Sequence, residues 1–334
     1  MSKKFALGVD LGWLSQLESM GVTWVDDNKN GIEPLKAVKE MGVNAVRLRV
    51  FVNPPKDAYW QKKDGTTCML GFADAENVLA MAKRVQAEDM DLMIDFHYSD
   101  HFADPQYQDI PEAWMNEDEE GLAKRVYLHT KEVLELLAQN DICPKWVQVG
   151  NEINPGILLP KGSLKDAPEV MVKLLNAGYD AVKLCCPDCK VITHLMGPYK
   201  PDWCNCFFDK FFACGGKTDI LGFSHYPYWF KVDSGRVFLE KFLLQYAEKY
   251  QKPIMICEVG GPEYDAEQTY NLLCSAIEAL HNIPDDQGLG IFYWEPEVGS
   301  EMLPDNYPLG ASKLVGENKL QFTRALKSYL QYKM

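Results

Sequence analysis

The chain has 334 residues, of which 47% are hydrophobic and 12% aromatic, enough for a large buried core. Its formal net charge of −14 at pH 7 repels nucleic-acid phosphates and anionic membrane surfaces, so we predict neither nucleic acid nor membrane as a partner. The sequence also lacks an uninterrupted apolar run of about 20 residues, the length that a membrane-spanning helix needs.

Eight short apolar segments bounded by turn residues predict strands at 5–10, 43–50, 92–97, 146–152, 190–196, 220–226, 253–258 and 288–294. Helical patterns alternate with them at 33–41, 74–88, 117–140, 166–184, 206–213, 234–250, 267–282 and 319–332. Strands that alternate with helices form a parallel sheet, and eight such units close a barrel. We therefore predict an α/β fold of the (β/α)8 TIM-barrel type, with one catalytic domain over residues 1–334.

Charged side chains interrupt the predicted strands near their C-terminal ends. Alternation places Arg47 and Arg49 on one face of the second strand, and Asp95 and His97 on one face of the third. Charges inside a barrel are costly unless they are paired or used, and TIM-barrel active sites lie where the strands end. These residues indicate an active site there; a self-satisfied structural pair made by Arg47 is the alternative.

Two glutamates end strands that face each other across the predicted barrel. Glu152 closes the fourth strand and Glu258 the seventh, so both emerge at the same rim. Retaining glycosidases use such a pair, one carboxylate as nucleophile and one as acid/base, about 5–5.5 Å apart. The nucleophile would stay ionised beside a cation such as Arg47 and hydrogen-bond donors such as Tyr226 or His225. Acidic residues at strand ends also bind metals or act as simple bases, so the pattern alone leaves those functions open.

The segments around these residues form a specific combination: NAVRLRVFVNP at 44–54, LMIDFHYSDHFADP at 92–105, WVQVGNEIN at 146–154 and YWEP at 293–296. Together they resemble the motifs of glycoside hydrolase family 53, the arabinogalactan endo-β-1,4-galactanases. The resemblance extends from the first predicted strand to the eighth. It implies a retaining barrel enzyme that cleaves β-1,4-galactan internally by double displacement.

The resemblance also implies roles for individual residues. The acid/base of the family falls on Glu152 and its nucleophile on Glu258. Asn151 would hold the sugar 2-hydroxyl, Arg47 is the arginine of the second strand, and Trp294 is the aromatic platform of the eighth.

Further substrate-binding residues are expected at the same rim. We assign Asp95, His97, His225, Tyr226 and the indole of Trp114 to this group, since flat rings cover sugar C–H faces. His194, within the fifth strand, fits either the site or the core.

Two departures from the family pattern leave the substrate open. Val259 follows the nucleophile where the family usually has threonine, and His225 stands where many members have tyrosine. A related activity on mannan or β-glucan is therefore an alternative. The segment 297–313 is shorter than in many bacterial members, and we predict no calcium.

Metal chemistry and simple binding are the rival classes of function. A metal-dependent hydrolase could use His97, His194, His225 and Asp95, but neither H-x-H nor H-E-x-x-H occurs. A non-catalytic carbohydrate-binding barrel would be expected to lose one glutamate, and both are present. We predict no metal and no cofactor.

The ten cysteines are spread along the chain and define no disulfide framework. Cys186 and Cys189, combined with Cys204 and Cys206, are one alternative for a zinc site, and small buried thiols are the other.

Location and assembly are expectations drawn from the polymer substrate. Residues 1–4 lead directly into the first strand without an apolar signal segment. The protein is then either cytosolic or has lost a signal peptide. Because galactan is too large to enter a cell, we expect an extracellular or cell-envelope protein that acts as a monomer.

Overall fold

The computed structural model describes residues 5–231 and 235–333. The barrel strands, in chain order, are β1 (Ala6–Asp10), β2 (Ala45–Val50), β3 (Asp91–Phe96), β4 (Trp146–Val149), β5 (Lys190–Gly197), β6 (Ile220–His225), β7 (Ile254–Val259) and β8 (Gly288–Tyr293). Each pairs in parallel with its neighbours in this order, and β8 returns to β1 to close the barrel. The predicted (β/α)8 fold is confirmed, with strand boundaries shifted by at most three residues.

The α-helices lie between and around these strands: α1 (Leu14–Ser19), α2 (Pro34–Glu40), α3 (Ala75–Ala87), α4 (Glu119–Ala138), α5 (Pro168–Cys185), α6 (Pro201–Ala213), α7 (Pro227–Phe230), α8 (Arg236–Tyr250) and α9 (Ala266–His281). Side-chain carboxylates cap the N-termini of several. Asp74 accepts from the backbone N–H groups at the start of α3, and Asp118 does the same for α4. Of the helix predicted at 234–250, Ser234 lies outside the described residues. None of the helices in the described part of the chain could cross a membrane.

The helix predicted at 319–332 is wrong. Lys319–Phe322 is a strand that pairs with Ser312–Gly316 and with Thr23–Val25, and only a 3₁₀ helix, Ala325–Gln331, follows it. The apolar residues that suggested helical periodicity are buried by these two separate elements. Tyr329 anchors the 3₁₀ helix because its hydroxyl donates to the carbonyl of Gly8 in β1 at 3.1 Å.

The barrel interior is apolar toward the N-terminal ends of the strands and polar toward their C-terminal ends. A cluster of buried apolar side chains fills its lower part: Ala6, Ala45, Met93, Trp146, Ile192, Ile220, Met255, Cys257 and Phe292. Trp146, at the start of β4, has a structural role in this cluster. Later positions of the same strands carry buried polar groups instead, among them Asp10, Arg47 and Asp95. The polar groups at the C-terminal ends of the strands therefore lie on a packed apolar layer.

A β-bulge sets the direction of Glu258. Met255 and Cys257 belong to the interior cluster, while Ile256 and Val259 pack in the outer core, so strict alternation would turn Glu258 outward. The register between β6 and β7 shifts here, since Phe223 pairs with Ile256 but the next residue, Ser224, pairs with Glu258. The bulge turns the Glu258 carboxylate into the barrel.

Candidate active site

Both predicted glutamates line one cleft of about 720 Å³ at the C-terminal end of the barrel strands. Its polar lining includes His97, Asp104, Asn151, Glu152, Tyr226 and Glu258. Its aromatic lining is Trp13, Phe102, Trp203, Tyr226, Trp229, Phe230, Trp294 and Tyr307. A cleft of this composition fits a neutral sugar chain, because rings contact C–H faces and a few polar groups fix orientation.

Each oxygen of the Glu258 carboxylate accepts a hydrogen bond. Its Oε1 accepts from Arg47 Nη2 at 3.0 Å, and its Oε2 accepts from the Tyr226 hydroxyl at 2.9 Å. Burial raises the pKa of Glu258, while the Arg47 charge and the Tyr226 hydrogen bond act in the opposite direction. The expected contacts of Arg47 and Tyr226 with this carboxylate are present.

Arg47 lies at the centre of a buried ionic network. Its Nη1 donates to Asp10 Oδ2 at 2.6 Å and its Nη2 to Asp95 Oδ2 at 2.8 Å. Gln148 Oε1 accepts from Arg47 Nε at 3.2 Å. Arg47 is thus both a partner of buried carboxylates and a direct contact of Glu258. The structural pair and the active-site contact that the sequence left as alternatives are both present.

The pKa values of the two aspartates around Arg47 are shifted in opposite directions. Burial raises the pKa of Asp10 well above its usual range, and its Oδ1 has no hydrogen-bond partner among the described residues. Burial also acts to raise the pKa of Asp95, but Arg47 and His97 outweigh it and lower that pKa. Burial thus favours the protonated form of Asp10, whereas Arg47 and His97 favour the ionised form of Asp95.

The environment of Glu152 favours the protonated form, in contrast to the contacts of Glu258 with Arg47 and Tyr226. Glu152 follows β4 in a turn with a backbone φ of 45°, and its side chain is half-buried. Burial raises the pKa of Glu152 to about 8, and the charges of Glu258 and Asp104 add to this shift. At neutral pH Glu152 is thus mostly protonated, as a general acid must be.

Asn151 and His97 are oriented by fixed partners. Asn151 Oδ1 accepts from Arg47 Nη2 at 2.9 Å, and its Nδ2 donates to the Ala103 carbonyl at 2.8 Å. His97 Nδ1 accepts from the Ala103 N–H at 2.8 Å, so the proton of a neutral His97 lies on Nε2, 2.9 Å from Asp95. Both side chains line the cleft, whereas Asp95 lies wholly buried beneath it.

Two predicted substrate-binding residues lie away from the cleft. Trp114 is 5% exposed and packs in the core against His129 of α4, with ring centroids 6.0 Å apart. His225 is 1% exposed, and its Nδ1 lies 3.1 Å from the hydroxyl of Tyr199, not beside Glu258. Burial lowers the pKa of His225 to about 3, so it is neutral.

The aromatic wall beside Trp294 includes one ring that the sequence did not reveal. Trp294 packs edge-on against Trp13 at 5.0 Å and against Tyr307 at 4.7 Å. Tyr307 follows β8 by many residues, so no strand-end pattern pointed to it. Glu295 accepts from the backbone N–H of Trp13 at 3.0 Å and pairs with Arg49, which fixes the position of this wall.

The metal alternatives find no support in the geometry. Within residues 5–231 and 235–333, no three His, Cys, Asp or Glu side chains are placed to hold a metal ion. Cys204 donates to the Met196 carbonyl at 3.2 Å, and Cys206 is exposed. Cys186 and Cys189 are buried elsewhere, after α5.

The sequence and fold are similar to those of known glycoside hydrolases. The chain is 30% identical to the "probable arabinogalactan endo-beta-1,4-galactanase A" of Aspergillus terreus, over 86% of this chain and 84% of that protein. It is 29% identical to the "arabinogalactan endo-beta-1,4-galactanase" of Cellvibrio japonicus, over 87% of this chain and 80% of that protein. The solved family 53 catalytic domain of Ignisphaera aggregans superposes with a TM-score of 0.84 at 27% identity, covering 98% of this chain and 96% of that one. The model of the family described as "Glycosyl hydrolase family 53" matches residues 6–329, and the chain therefore belongs to that family.

Proposed function

We propose that this protein is an endo-β-1,4-galactanase that hydrolyses internal bonds of galactan or type I arabinogalactan with retention, by double displacement. The observation that carries the proposal is the contrast between two glutamates of one cleft. Glu258 is contacted by Arg47 and a tyrosine hydroxyl, while burial and neighbouring carboxylates favour the protonated form of Glu152. One is suited to attack and the other to donate a proton.

In the first step, Glu258 Oε attacks the anomeric carbon while Glu152 gives its proton to the glycosidic oxygen. The bond between the anomeric carbon and that oxygen breaks, which leaves a galactosyl ester on Glu258 and a carboxylate on Glu152. Asn151 uses one amide proton on Ala103, so its second N–H is free to donate to the sugar 2-hydroxyl.

In the second step, Glu152 acts as base. Its carboxylate takes a proton from water as the water oxygen attacks the anomeric carbon, and Glu258 leaves as a carboxylate. Arg47 and Tyr226 stabilise that carboxylate as it forms. The proton balance returns Glu152 to its acid form for the next cycle.

The galactan assignment is supported by the names of the relatives and by the cleft. The two departures from the family pattern do not reach the cleft surface, because Val259 is 0% exposed in the outer core and His225 is buried. The partly exposed Trp294 provides apolar surface for a neutral chain in the cleft, and Trp13 packs behind it.

The substrate is tested by incubating the protein with linear β-1,4-galactan, β-mannan and mixed-linkage β-glucan, with and without EDTA. We expect short galacto-oligosaccharides from galactan alone, at rates that EDTA does not change. Activity confined to another glycan would overturn the substrate, and EDTA-sensitive activity would overturn the metal-free mechanism.

Retention is tested by following galactan cleavage by NMR before the product anomers equilibrate. The β-anomer of the new reducing end should form first. Initial formation of the α-anomer would overturn double displacement and convert Glu258 to a base for direct water attack.

The same proposal extends to the setting of the enzyme. Residues 1–334 form a single catalytic domain that acts as a monomer, without cofactor, outside the cell or in the cell envelope where galactan is found. Size-exclusion chromatography with light scattering tests the monomer, and a dimer mass would contradict it.

A further inference from the structure

A groove of about 830 Å³ is lined by the segments that follow β6 and β7. Six of its lining residues carry rings or neutral hydrogen-bonding groups: Tyr228, Trp229, Tyr264, Gln268, Asn271 and Ser275. We call this surface the side groove. The hydrolysis proposed above assigns no role to it.

Trp229 connects the side groove to the catalytic cleft, because this residue lines both. The Glu263 N–H donates to the Pro308 carbonyl at 3.0 Å. Pro308 lines the catalytic cleft, while Pro262 and Tyr264, on either side of Glu263 in the chain, line the side groove. The two hollows therefore share a border, and a polymer bound in the cleft has a path into the groove.

Two exposed rings give the side groove an apolar surface. Tyr264 is 77% exposed and Trp229 is 50% exposed. The Tyr228 ring packs edge-on against Trp229 at a centroid distance of 4.9 Å and supports the indole. Exposed apolar surface that lines one groove marks a binding site, and flat rings cover the C–H faces of sugars.

One face of α9 gives the side groove its hydrogen-bonding groups. Gln268, Asn271, Leu272 and Ser275 follow one another at helical spacings of three and four, so they lie on the same side of the helix. Gln268 and Asn271 are exposed, and Ser275 is half-buried. Amides and a hydroxyl both donate and accept hydrogen bonds, as the hydroxyl groups of a sugar require.

The acidic residues of the same segment have partners of their own and do not line the side groove. Glu263 Oε2 accepts from the Ser300 N–H at 2.8 Å. Asp265 caps the N-terminus of α9, and Glu267 forms an ion pair with Arg324. The residues that this segment presents to the groove are therefore neutral.

Lys231 is the only charged side chain among the described residues that line the side groove, although the chain has a net charge of −14. A surface of rings and neutral hydrogen-bonding groups suits an uncharged polysaccharide. We propose that the side groove is a second galactan-binding site, which holds the part of the polymer that extends past Trp229 from the catalytic cleft. This inference rests on the proposed function, since it takes galactan as the substrate of the cleft.

Affinity for the polymer tests the inference directly. In a Glu152→Gln background, which slows cleavage, Tyr264→Ala should bind linear β-1,4-galactan about three- to tenfold more weakly in affinity gel electrophoresis, because one ring contact is lost. Tyr264→Phe keeps the ring and should bind nearly as well as the parent protein. An unchanged affinity in Tyr264→Ala would overturn the inference.

The face of α9 is tested in the same assay. Gln268→Ala should weaken galactan binding by about two- to fivefold, because a hydrogen bond to the sugar is lost. The matched control is Gln245→Ala, since Gln245 is also exposed but lies on α8, outside the groove. No weakening in Gln268→Ala, or an equal weakening in Gln245→Ala, would overturn the assignment of this helix face.

Kinetics separate the side groove from the catalytic cleft. In the otherwise wild-type enzyme, Tyr264→Ala should lower kcat/KM on galactan by about three- to tenfold, mainly through KM. The same variant should leave kcat/KM on an activated aryl β-galactoside unchanged, because that substrate does not extend past the cleft. Equal losses on both substrates would show that Tyr264 acts on the cleft itself and would overturn the inference.

A second copy of this chain is the alternative occupant of an exposed aromatic surface. Size-exclusion chromatography with light scattering compares the wild type with Tyr264→Ala, and we expect a monomer mass for both. A dimer mass that becomes a monomer mass in the variant would assign the side groove to a contact between chains and overturn the inference.

Binding and cleavage assays together keep the inference distinct from the proposed function. Cleavage of galactan with an affinity that Tyr264→Ala leaves unchanged overturns the side groove alone. An affinity that depends on Tyr264, without any cleavage of galactan by the wild type, overturns the proposed function alone. Melting temperatures of the single variants should match the wild type, because Tyr264, Gln268 and Gln245 are exposed.

Discussion

Replacing Tyr226 by phenylalanine isolates one of the two contacts that favour the ionised form of Glu258, the proposed nucleophile. The change removes the hydroxyl that lies 2.9 Å from Glu258 Oε2 and leaves Arg47 paired with Asp10, Asp95 and Glu258. Hydrogen bonds to charged groups contribute about 1.5–3 kcal/mol, and about 1.4 kcal/mol corresponds to a pKa change of one. The pKa of Glu258 should therefore rise by about 1 to 2 in the variant.

The acidic limb of the pH profile measures this change. Because the Glu258 carboxylate must be deprotonated to attack, kcat/KM for an activated aryl β-galactoside should begin to fall at a higher pH in Tyr226→Phe than in the wild type. An aryl leaving group needs little acid assistance, so the limb that belongs to Glu152 interferes least. A general loss of activity would lower the whole pH profile but would not move its acidic limb to a higher pH, so the two effects are distinguishable.

Tyr246→Phe is the matched control. The Tyr246 hydroxyl donates to the Pro201 carbonyl at 3.0 Å, behind the barrel wall, so its loss should affect stability and not the acidic limb. An acidic limb that stays in place in Tyr226→Phe, or moves to lower pH, would refute the assignment of Tyr226 as a stabiliser of the Glu258 anion.

Four further outcomes are expected. Glu152→Ala should reduce kcat/KM on galactan by about 10²- to 10⁴-fold but affect activated aryl galactosides far less, and equal losses on both would contradict the acid role. Arg47→Ala should slow galactan cleavage by at least tenfold and lower the melting temperature, because it leaves buried carboxylates unpaired; a wild-type rate would place Arg47 among purely structural residues. Trp294→Ala should raise KM by about tenfold with a smaller change in kcat, corresponding to about 1.4 kcal/mol of lost ring contact, and an unchanged KM would remove Trp294 from the binding surface. Glu152→Gln should gain stability relative to wild type as pH rises from 5 to 9: the pKa of Glu152 is raised to about 8 in the folded state, so its stabilising contribution is full below the ordinary pKa and is lost through 8. A thermal-melting difference that is constant with pH would contradict that pKa.

The strand order and the two glutamates were predictable because they depend on local patterns. Apolar segments alternating with helical periodicity predicted the barrel, and strand ends in a parallel barrel meet at one rim. Periodicity failed at 319–332, where buried Leu320 and Tyr329 belong to a strand and a 3₁₀ helix, not to one continuous helix. Pairing with the adjacent strand Ser312–Gly316 and with the distant strand Thr23–Val25 decides that segment.

Contacts beyond the strand ends were less predictable for a related reason. Trp114 follows β3 within a family-like region, but its indole turns into the core toward His129. Tyr226 and His225 are adjacent, yet only the tyrosine reaches Glu258, because neighbouring residues at a strand end leave in different directions. Position in the chain identified the right strand end but not the side chain that points inward.

Glu258, the proposed nucleophile, shows how a residue assignment made from strand ends can rest on an incomplete geometry. Alternation from Met255 and Cys257 would place Glu258 outside the barrel, and only the register shift between β6 and β7 brings its carboxylate to Arg47. The same shift sets Ser224 opposite Glu258 in the paired strands. A single extra residue in β7 thus positions the proposed nucleophile. Removing that residue should turn the Glu258 side chain out of the barrel, away from Arg47, and abolish galactan cleavage.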